Sequence, residues 1–286
     1  MRLHILNPSE RHRSHVQKNL RVSKPDVAVW IQPEHPYHCE TILRWGLQEG
    51  FRSFIVWAGD GTLHRVVESL TELGVGSEVT LGVVPVGTCN DLARHLGLRP
   101  GVIDEALEGI RRGKSRKIDV GMVSWTRSDG GNVSHPFTNN AGFGRSLRSI
   151  KEKWGAVRNV MDFKAHQLEI EVDGATQQGE FLMAVVCNGP FFSGGLRFSD
   201  ETSCFDGRLD GFFTRDTNRL ELLTRLALGR WGRPLMGPNV VCFEGKTIRV
   251  KSEDDLWLQA DGETLSTEGT RRLQFTIMPQ MLRCII

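Results

Sequence analysis

At 286 residues, 39% hydrophobic and with a net charge of +2, the chain can bury one large core or two modest ones and is too nearly neutral for a general nucleic-acid partner. Its six cysteines, Cys39, Cys89, Cys187, Cys204, Cys242 and Cys284, form no C-x-x-C pair, which argues against a zinc site or disulfide framework and for a reduced, cytoplasmic setting. No signal peptide opens the chain and no apolar run approaches the roughly 20 residues that cross a bilayer, so any lipid is expected to be met from the membrane surface.

In chain order, strands are predicted near Leu3 to Leu6, Val27 to Ile31, Phe54 to Trp57 and Thr80 to Val84. Helices are predicted near Cys39 to Glu49, Leu63 to Leu73, Asp91 to Leu96 and Val102 to Arg112. This alternation predicts a doubly wound α/β domain over residues 1–122. Two of its strand-to-helix turns carry glycine and a carboxylate: Ala58-Gly59-Asp60-Gly61-Thr62 and Val86-Gly87-Thr88-Cys89-Asn90-Asp91. Such turns hold phosphate, because glycine at positive φ lets backbone N–H groups come close to it, and Thr62 suits the helix cap. Asp60 beside a phosphate calls for a divalent ion or a donor network, unless it only supports a tight turn.

Two other nucleotide signatures fail. The dinucleotide pattern needs glycine where His64 stands, and the Walker-like string from Gly109 to Ser115 is one residue short and follows a helix. Gly113 therefore reads as a helix stop and Lys114 as a partner for the helix dipole. The basic run Arg111, Arg112, Lys114, Arg116 and Lys117 reads as a solvated helix end, or as a contact for anionic lipid heads. His35 and His38 lie in a Pro-flanked loop without the spacing of a metal site.

Around Lys117 to Ser124 the pattern changes to period 2, with Leu168, Ile170 and Val172 against Glu169, Glu171 and Asp173, and Leu273, Phe275 and Ile277 against Gln274 and Thr276. A β-sandwich-like second domain over 123–279 follows, with a hairpin at Asp173-Gly174 and a helical stretch from Leu220 to Leu228. Trp231 is expected to pack on the sandwich or to touch lipid. A cleft between two such domains is the expected nucleotide site, since phosphoryl transfer needs donor and acceptor held in line away from water. The chemistry asks for a phosphate cradle from Gly59 to Thr62, with Thr88 and Asn90 as neutral donors. It also asks for metal on Asp60 and Asp206, and for a base on the turn carrying Asp261 and Glu263.

These strings, in this order, resemble the diacylglycerol kinase catalytic-domain family, especially its bacterial lipid kinases and its sphingosine-kinase relatives. The resemblance rests on Asn7-Pro8, Gly59-Asp60-Gly61-Thr62, Gly87-Thr88-Cys89-Asn90-Asp91, Phe137 to Gly144, Cys187-Asn188-Gly189, Asp206-Gly207-Arg208-Leu209-Asp210 and Asp261-Gly262-Glu263, and spans nearly the whole chain. It implies an ATP- and Mg²⁺-dependent lipid kinase acting on a diacylglycerol-like acceptor at the membrane surface, with a homodimer possible. Nucleotide contacts are implied at Asn7, Ala58, Gly59, Asp60, Gly61, Thr62, Leu63, His64, Gly87, Thr88, Asn90 and Asp91. A magnesium site is implied at Asp206 with the backbone of Ser203 and Arg208, and the proton acceptor at Asp261 or Glu263. It further implies that the last residues, after Pro279, return to the first domain.

The chain departs from the family at Ala58, where glycine is usual, at Cys89, at Ser9 to His12, which lack the customary glycine, and at Gln32 in place of threonine. Ala58 adds a methyl close to the phosphate turn, harmless if its φ is negative. These departures keep open a nucleotide- or lipid-binding regulator of the same fold with weak turnover.

Overall fold

The computed structural model describes residues 1–7, 14, 16–18, 27–30, 38–144, 164–192, 194–215, 221, 224–225, 227–228 and 237–286. Ser9 to His12, Ile31, Gln32, His35 and Trp231 lie outside the described residues. The chain forms two compact units, one of residues 1–119 with 280–286 and one of residues 120–279.

The first unit runs β1 (Arg2–Leu6), β2 (Val27–Trp30), α1 (His38–Gln48), β3 (Ser53–Ala58), α2 (Asp60–Glu72), β4 (Thr80–Pro85), α3 (Asp91–His95) and α4 (Ile103–Arg112). Its strands are parallel in the order β2-β1-β3-β4, and Arg283 and Cys284 extend the sheet beside Thr80 and Leu81. Both sheet faces are covered, so the strands are mainly apolar, and the buried His4 of β1 accepts from Trp57 Nε1 of β3 at 3.0 Å. Leu3 and Phe54 face Gly46 of α1, where an added Cβ would meet the Leu3 side chain at 2.7 Å. The alternate residues Leu6, Ile55, Trp57 and Val84 pack on Ile103, Ala106, Leu107 and Ile110 of α4. Helix α2 buries Leu63, Val66, Val67 and Leu70 along one stripe. Gly113 ends α4 in the left-handed region at φ 68°, the stop expected from the sequence.

The second unit runs from within β5 (Ser115–Thr126) through β6 (Asn132–Phe137), β7 (Asn140–Phe143), β8 (His166–Val172), β9 (Ala175–Cys187), β10 (Phe191–Phe192), β11 (Leu196–Arg197), β12 (Leu209–Arg215), β13 (Val240–Gly245), β14 (Thr247–Ala260) and into β15 (Glu263–Ile285). It is antiparallel, ordered β13-β12-β9-β7-β14-β15, with β8 against β9 and β14, and β5 against β6. Its core centres on Phe137, Phe143, Phe181, Phe213 and Phe275, and the expected alternation holds in β8, where Leu168 and Ile170 are buried between exposed or half-buried Gln167, Glu169 and Glu171. Asp173-Gly174 is a two-residue hairpin with φ of 47° and 95° joining Val172 to Ala175. Over the stretch from 220 to 228, the described residues Glu221, Thr224, Arg225, Ala227 and Leu228 are helical.

Candidate active site

In the first unit the carboxyl ends of β1, β3 and β4 bring together Asn7, the Ala58 to Thr62 turn and the Gly87 to Asp91 turn. Gly59 and Gly61 do not adopt positive φ as expected, since Gly59 has φ −96° and neither is among the left-handed residues. Glycine is required at Gly59 because the two turns touch backbone to backbone. A Cβ on Gly59 would lie 2.9 Å from Gly87 Cα, and one on Gly87 only 2.1 Å from Gly59 Cα. Thr62 does not cap the helix, because α2 begins two residues earlier with Gly59 as N-cap. Its hydroxyl instead accepts from Asn7 Nδ2 at 2.8 Å, tying the end of β1 to the first turn of α2.

Asp60 meets a donor network. Its two carboxylate oxygens accept the N–H groups of Asn90 and Asp91 at 2.6 and 2.7 Å, so the first turn caps α3 behind the second. The Asn90 amide, expected as a neutral donor to the phosphate, has one of its two N–H groups engaged within its own turn. Held in the left-handed region at φ 57°, it accepts from Gly87 N–H at 3.1 Å and donates to Gly87 C=O at 2.9 Å, and it is buried. Ala58 is buried as the last residue of β3 and is not at positive φ. Leu63 and His64 are also buried, and Leu63 N–H bonds Gly59 C=O. What faces outward is the exposed backbone at Gly61, the exposed Thr88, and the start of a 13-residue helix that no side chain caps. Its leading N–H groups have no intrahelical acceptor and sit at the positive end of the dipole, a natural seat for phosphate oxygens.

In the second unit four turns meet at one end of the sheet. Asn140 pairs with Cys187, Cys187 with Asp210 and Asp210 with Glu244, one rung across β7, β9, β12 and β13. Asp261-Gly262 is a two-residue hairpin with φ of 46° and 86°, joined to this rung by Asp261 N–H on Asn140 C=O. The Asp261 carboxylate accepts four hydrogen bonds: Thr138 N–H at 2.7 Å, Thr138 hydroxyl at 2.9 Å, Asn139 N–H at 2.9 Å and Asn140 N–H at 3.1 Å. Those donors match the roughly four lone-pair sites a carboxylate offers. Asp173, on the other Asp-Gly hairpin, uses the same device on Lys246 and Thr247 N–H, which hold its carboxyl below the ordinary range. Glu263 stands half-buried as the first residue of β15.

Asp206 is exposed and accepts Arg208 N–H at 3.0 Å, so Asp206, half-buried Ser203 and Arg208 share one turn. Sequence reasoning gave Asp210 no role. Burial pushes its carboxyl up to about 6, the Thr202 hydroxyl opposes this, and Asp206, Glu244 and Glu201 add repulsion. Burial likewise raises the Cys187 thiol, with Asp210 and Asp261 adding to it. Asn188 was also missed: it is fully buried and donates to Thr138 C=O at 2.7 Å, backing the turn that Asp261 holds. The only sequence signal for either residue was its place inside a recurring string.

Because Asp210 titrates higher when folded than its ordinary 3.8, its favourable contribution is complete below 3.8 and lost as pH rises through about 6. In EDTA, Asp210→Asn is expected to stabilise the protein at pH 7.5 by about 1–2 kcal/mol, with the gain vanishing near pH 4. Thermal melts across that range check this, and a gain independent of pH would contradict it.

Both halves of the chain match known protein families. The diacylglycerol kinase catalytic domain matches residues 7–123, and the YegS C-terminal NAD kinase beta sandwich-like domain matches residues 137–286. A diacylglycerol kinase of Bacillus subtilis (strain 168) is 27% identical over 227 residues, covering 74% of this chain and 71% of its own. One of Staphylococcus aureus (strain JH9) is 28% identical over 231 residues, covering 76% and 70%. The crystal structure of a diacylglycerol kinase from Bacillus anthracis str. Sterne superposes with a TM-score of 0.74 at 22% identity, covering 99% of this chain and 96% of that one.

Proposed function

The chain belongs to the diacylglycerol kinase catalytic-domain family, and from that premise we propose that it transfers the γ-phosphoryl group of ATP to a hydroxyl of a diacylglycerol-like membrane lipid. One observation carries this reading. The Gly59 and Gly87 turns meet backbone to backbone, are tied by the Asp60 carboxylate on Asn90 and Asp91 N–H, and leave the start of α2 without a side-chain cap.

In this reading the N–H groups of the first α2 turn bind phosphate oxygens, and Thr88 adds its hydroxyl from the second turn. Asn7 and Asp60 act indirectly, by fixing the turns that do the binding. Glu263 draws the proton from the acceptor hydroxyl. The filled lone pairs of Asp261 support that choice and make Asp261 a positioning residue for Thr138 to Asn140. The Asp206 carboxylate, with Ser203 and Arg208 offering backbone carbonyls, would suit a hard divalent cation, and Asp210 adds negative charge nearby, while Glu244 is paired with the Arg208 guanidinium at 3.2 Å. Bound Mg²⁺ would supply charge neutralisation for the transferring group. Among the described residues no helix is long and apolar enough to cross a membrane, and the acceptor is proposed to be met at the membrane surface.

The test is incubation with γ-labelled ATP and Mg²⁺ in mixed micelles carrying diacylglycerol, monoacylglycerol, a sphingoid base, phosphatidylglycerol or a polyprenol. Label is expected in diacylglycerol or a close analogue. Asp206→Asn is expected to raise the Mg²⁺ needed for half-maximal rate by at least about tenfold. Tight ATP binding with no labelled lipid across the panel would contradict the kinase reading and favour a regulator of the same fold.

A further inference from the structure

Neither of the two turns that frame the start of α2 carries a cation. Residues 58–62 and 86–91 contain no lysine or arginine and two acids, Asp60 and Asp91. Asp60 spends its carboxylate on the N–H groups of Asn90 and Asp91, and the Asn7 side chain beside the first turn is neutral. A nucleoside polyphosphate carries several negative charges, and neutral donors set beside two carboxylates leave much of that charge uncompensated. Such a seat calls for a positive side chain reaching in from just outside the turns.

Arg94 meets that description. Its backbone N–H bonds Asn90 C=O at 3.0 Å, which closes the first turn of α3, and helical side chains lean back toward the helix start. Arg94 Nε accordingly donates to Cys89 C=O at 3.3 Å, inside the second turn and next to the exposed Thr88. That bond uses one of the five N–H groups of a guanidinium, and those on the terminal nitrogens have no partner among the described residues. Arg94 is half-buried and no carboxylate among the described residues pairs with it, whereas the exposed Arg99 is paired with Glu105 at 2.6 Å. A guanidinium partly withdrawn from water without a counter-charge is unfavourable by itself. An arriving phosphate offsets that cost, because the fork of terminal N–H groups fits two of its oxygens at once.

We infer that the Arg94 guanidinium, anchored through Nε on Cys89 C=O, pairs through its terminal N–H groups with the polyphosphate of the bound nucleotide. The inference rests on the nucleotide reading of this site and deepens it, because a cation there gives the seat a preference for the more highly charged phosphates. Binding then gains with each added phosphate, and the gain shrinks as salt rises.

The test is displacement of a fluorescent ATP analogue from the full chain by ATP, ADP and AMP at fixed Mg²⁺ and at low and high salt, for wild type, Arg94→Gln and Arg94→Lys. Arg94→Gln is expected to bind ATP at least about tenfold more weakly than wild type, ADP less so, and AMP within about twofold, with a melting temperature near wild type. Arg94→Lys, which keeps the charge but loses the fork, is expected to recover part of the loss for ATP. Raising salt is expected to weaken ATP binding more in wild type than in Arg94→Gln. Unchanged ATP affinity in Arg94→Gln would overturn the inference. So would a loss equal for all three nucleotides, which would make Arg94 a clamp on Cys89 and nothing more. Where Arg94→Gln folds poorly, the same comparison of ATP with AMP in Arg94→Lys decides the matter. Should wild type bind ATP with this charge dependence yet label no lipid, the kinase reading fails and the role of Arg94 stands. A wild type that binds none of the three nucleotides overturns both.

Discussion

Glu263→Gln is expected to lower kcat by about 10²–10⁴-fold while leaving the melting temperature and KM for ATP near wild type, and Asp261→Ala is expected to fail in a different way. The glutamate heads β15 half-buried, and the isosteric amide removes the proton acceptor while keeping the side chain's size and shape. The aspartate carries four hydrogen bonds, and its loss leaves the N–H groups of Thr138, Asn139 and Asn140 without their acceptor. With water replacing part of what is lost, the cost is about 3–4 kcal/mol. That corresponds to a fall in melting temperature on the order of 10 °C for a unit of this size. Activity falls with it, because the Thr138 to Asn140 turn adjoins the Asp261-Gly262-Glu263 hairpin. Measuring kcat and thermal unfolding on both variants separates the roles. Reversed behaviour, with Asp261→Ala inactive but fully stable and Glu263→Gln active, would assign proton transfer to Asp261.

Gly87→Ala is expected to be the most damaging single methyl in the first unit. The new Cβ would fall 2.1 Å from Gly59 Cα and 2.8 Å from Gly59 N, and main chain cannot swing aside as a side-chain tip can. Separating the turns also strains the bonds from Asn90 and Asp91 to Asp60 and those between Asn90 and Gly87, since all share this junction. A loss of about 3 kcal/mol or more follows, along with a fall in ATP affinity of at least about tenfold. Ala58→Gly, by contrast, is expected to leave ATP affinity unchanged, because the Ala58 methyl is buried in the strand. Isothermal titration with ATP, paired with thermal melts, measures both. Unaltered affinity in Gly87→Ala would show that the contact between the turns is irrelevant to the nucleotide.

The elements of both units were legible because their signals are local. The α2 stripe of Leu63, Val66, Val67 and Leu70, the αL stop at Gly113 and the Asp173-Gly174 hairpin each depend on residues within a turn or two of one another. The site was legible as a set of strings but not as a set of roles. Asp60 and the backbone it caps are 30 and 31 residues apart, and Asp261 holds groups 121 to 123 residues away, so nothing beside either residue announces the bond. For the same reason Gly59 invited a local explanation in positive φ, when its need for a bare Cα comes from Gly87. Asp210 was hidden by its strand, where an acid on the face shared with Phe212 and Thr214 reads as solvent-facing until β9 and β13 are laid on either side.

Lipid mass spectrometry of cells overproducing wild type or Glu263→Gln at matched levels tests lipid phosphorylation most directly. A phosphorylated lipid of the diacylglycerol type accumulating with wild type and absent from Glu263→Gln is the predicted result, and indistinguishable lipid profiles from two equally folded proteins would contradict it.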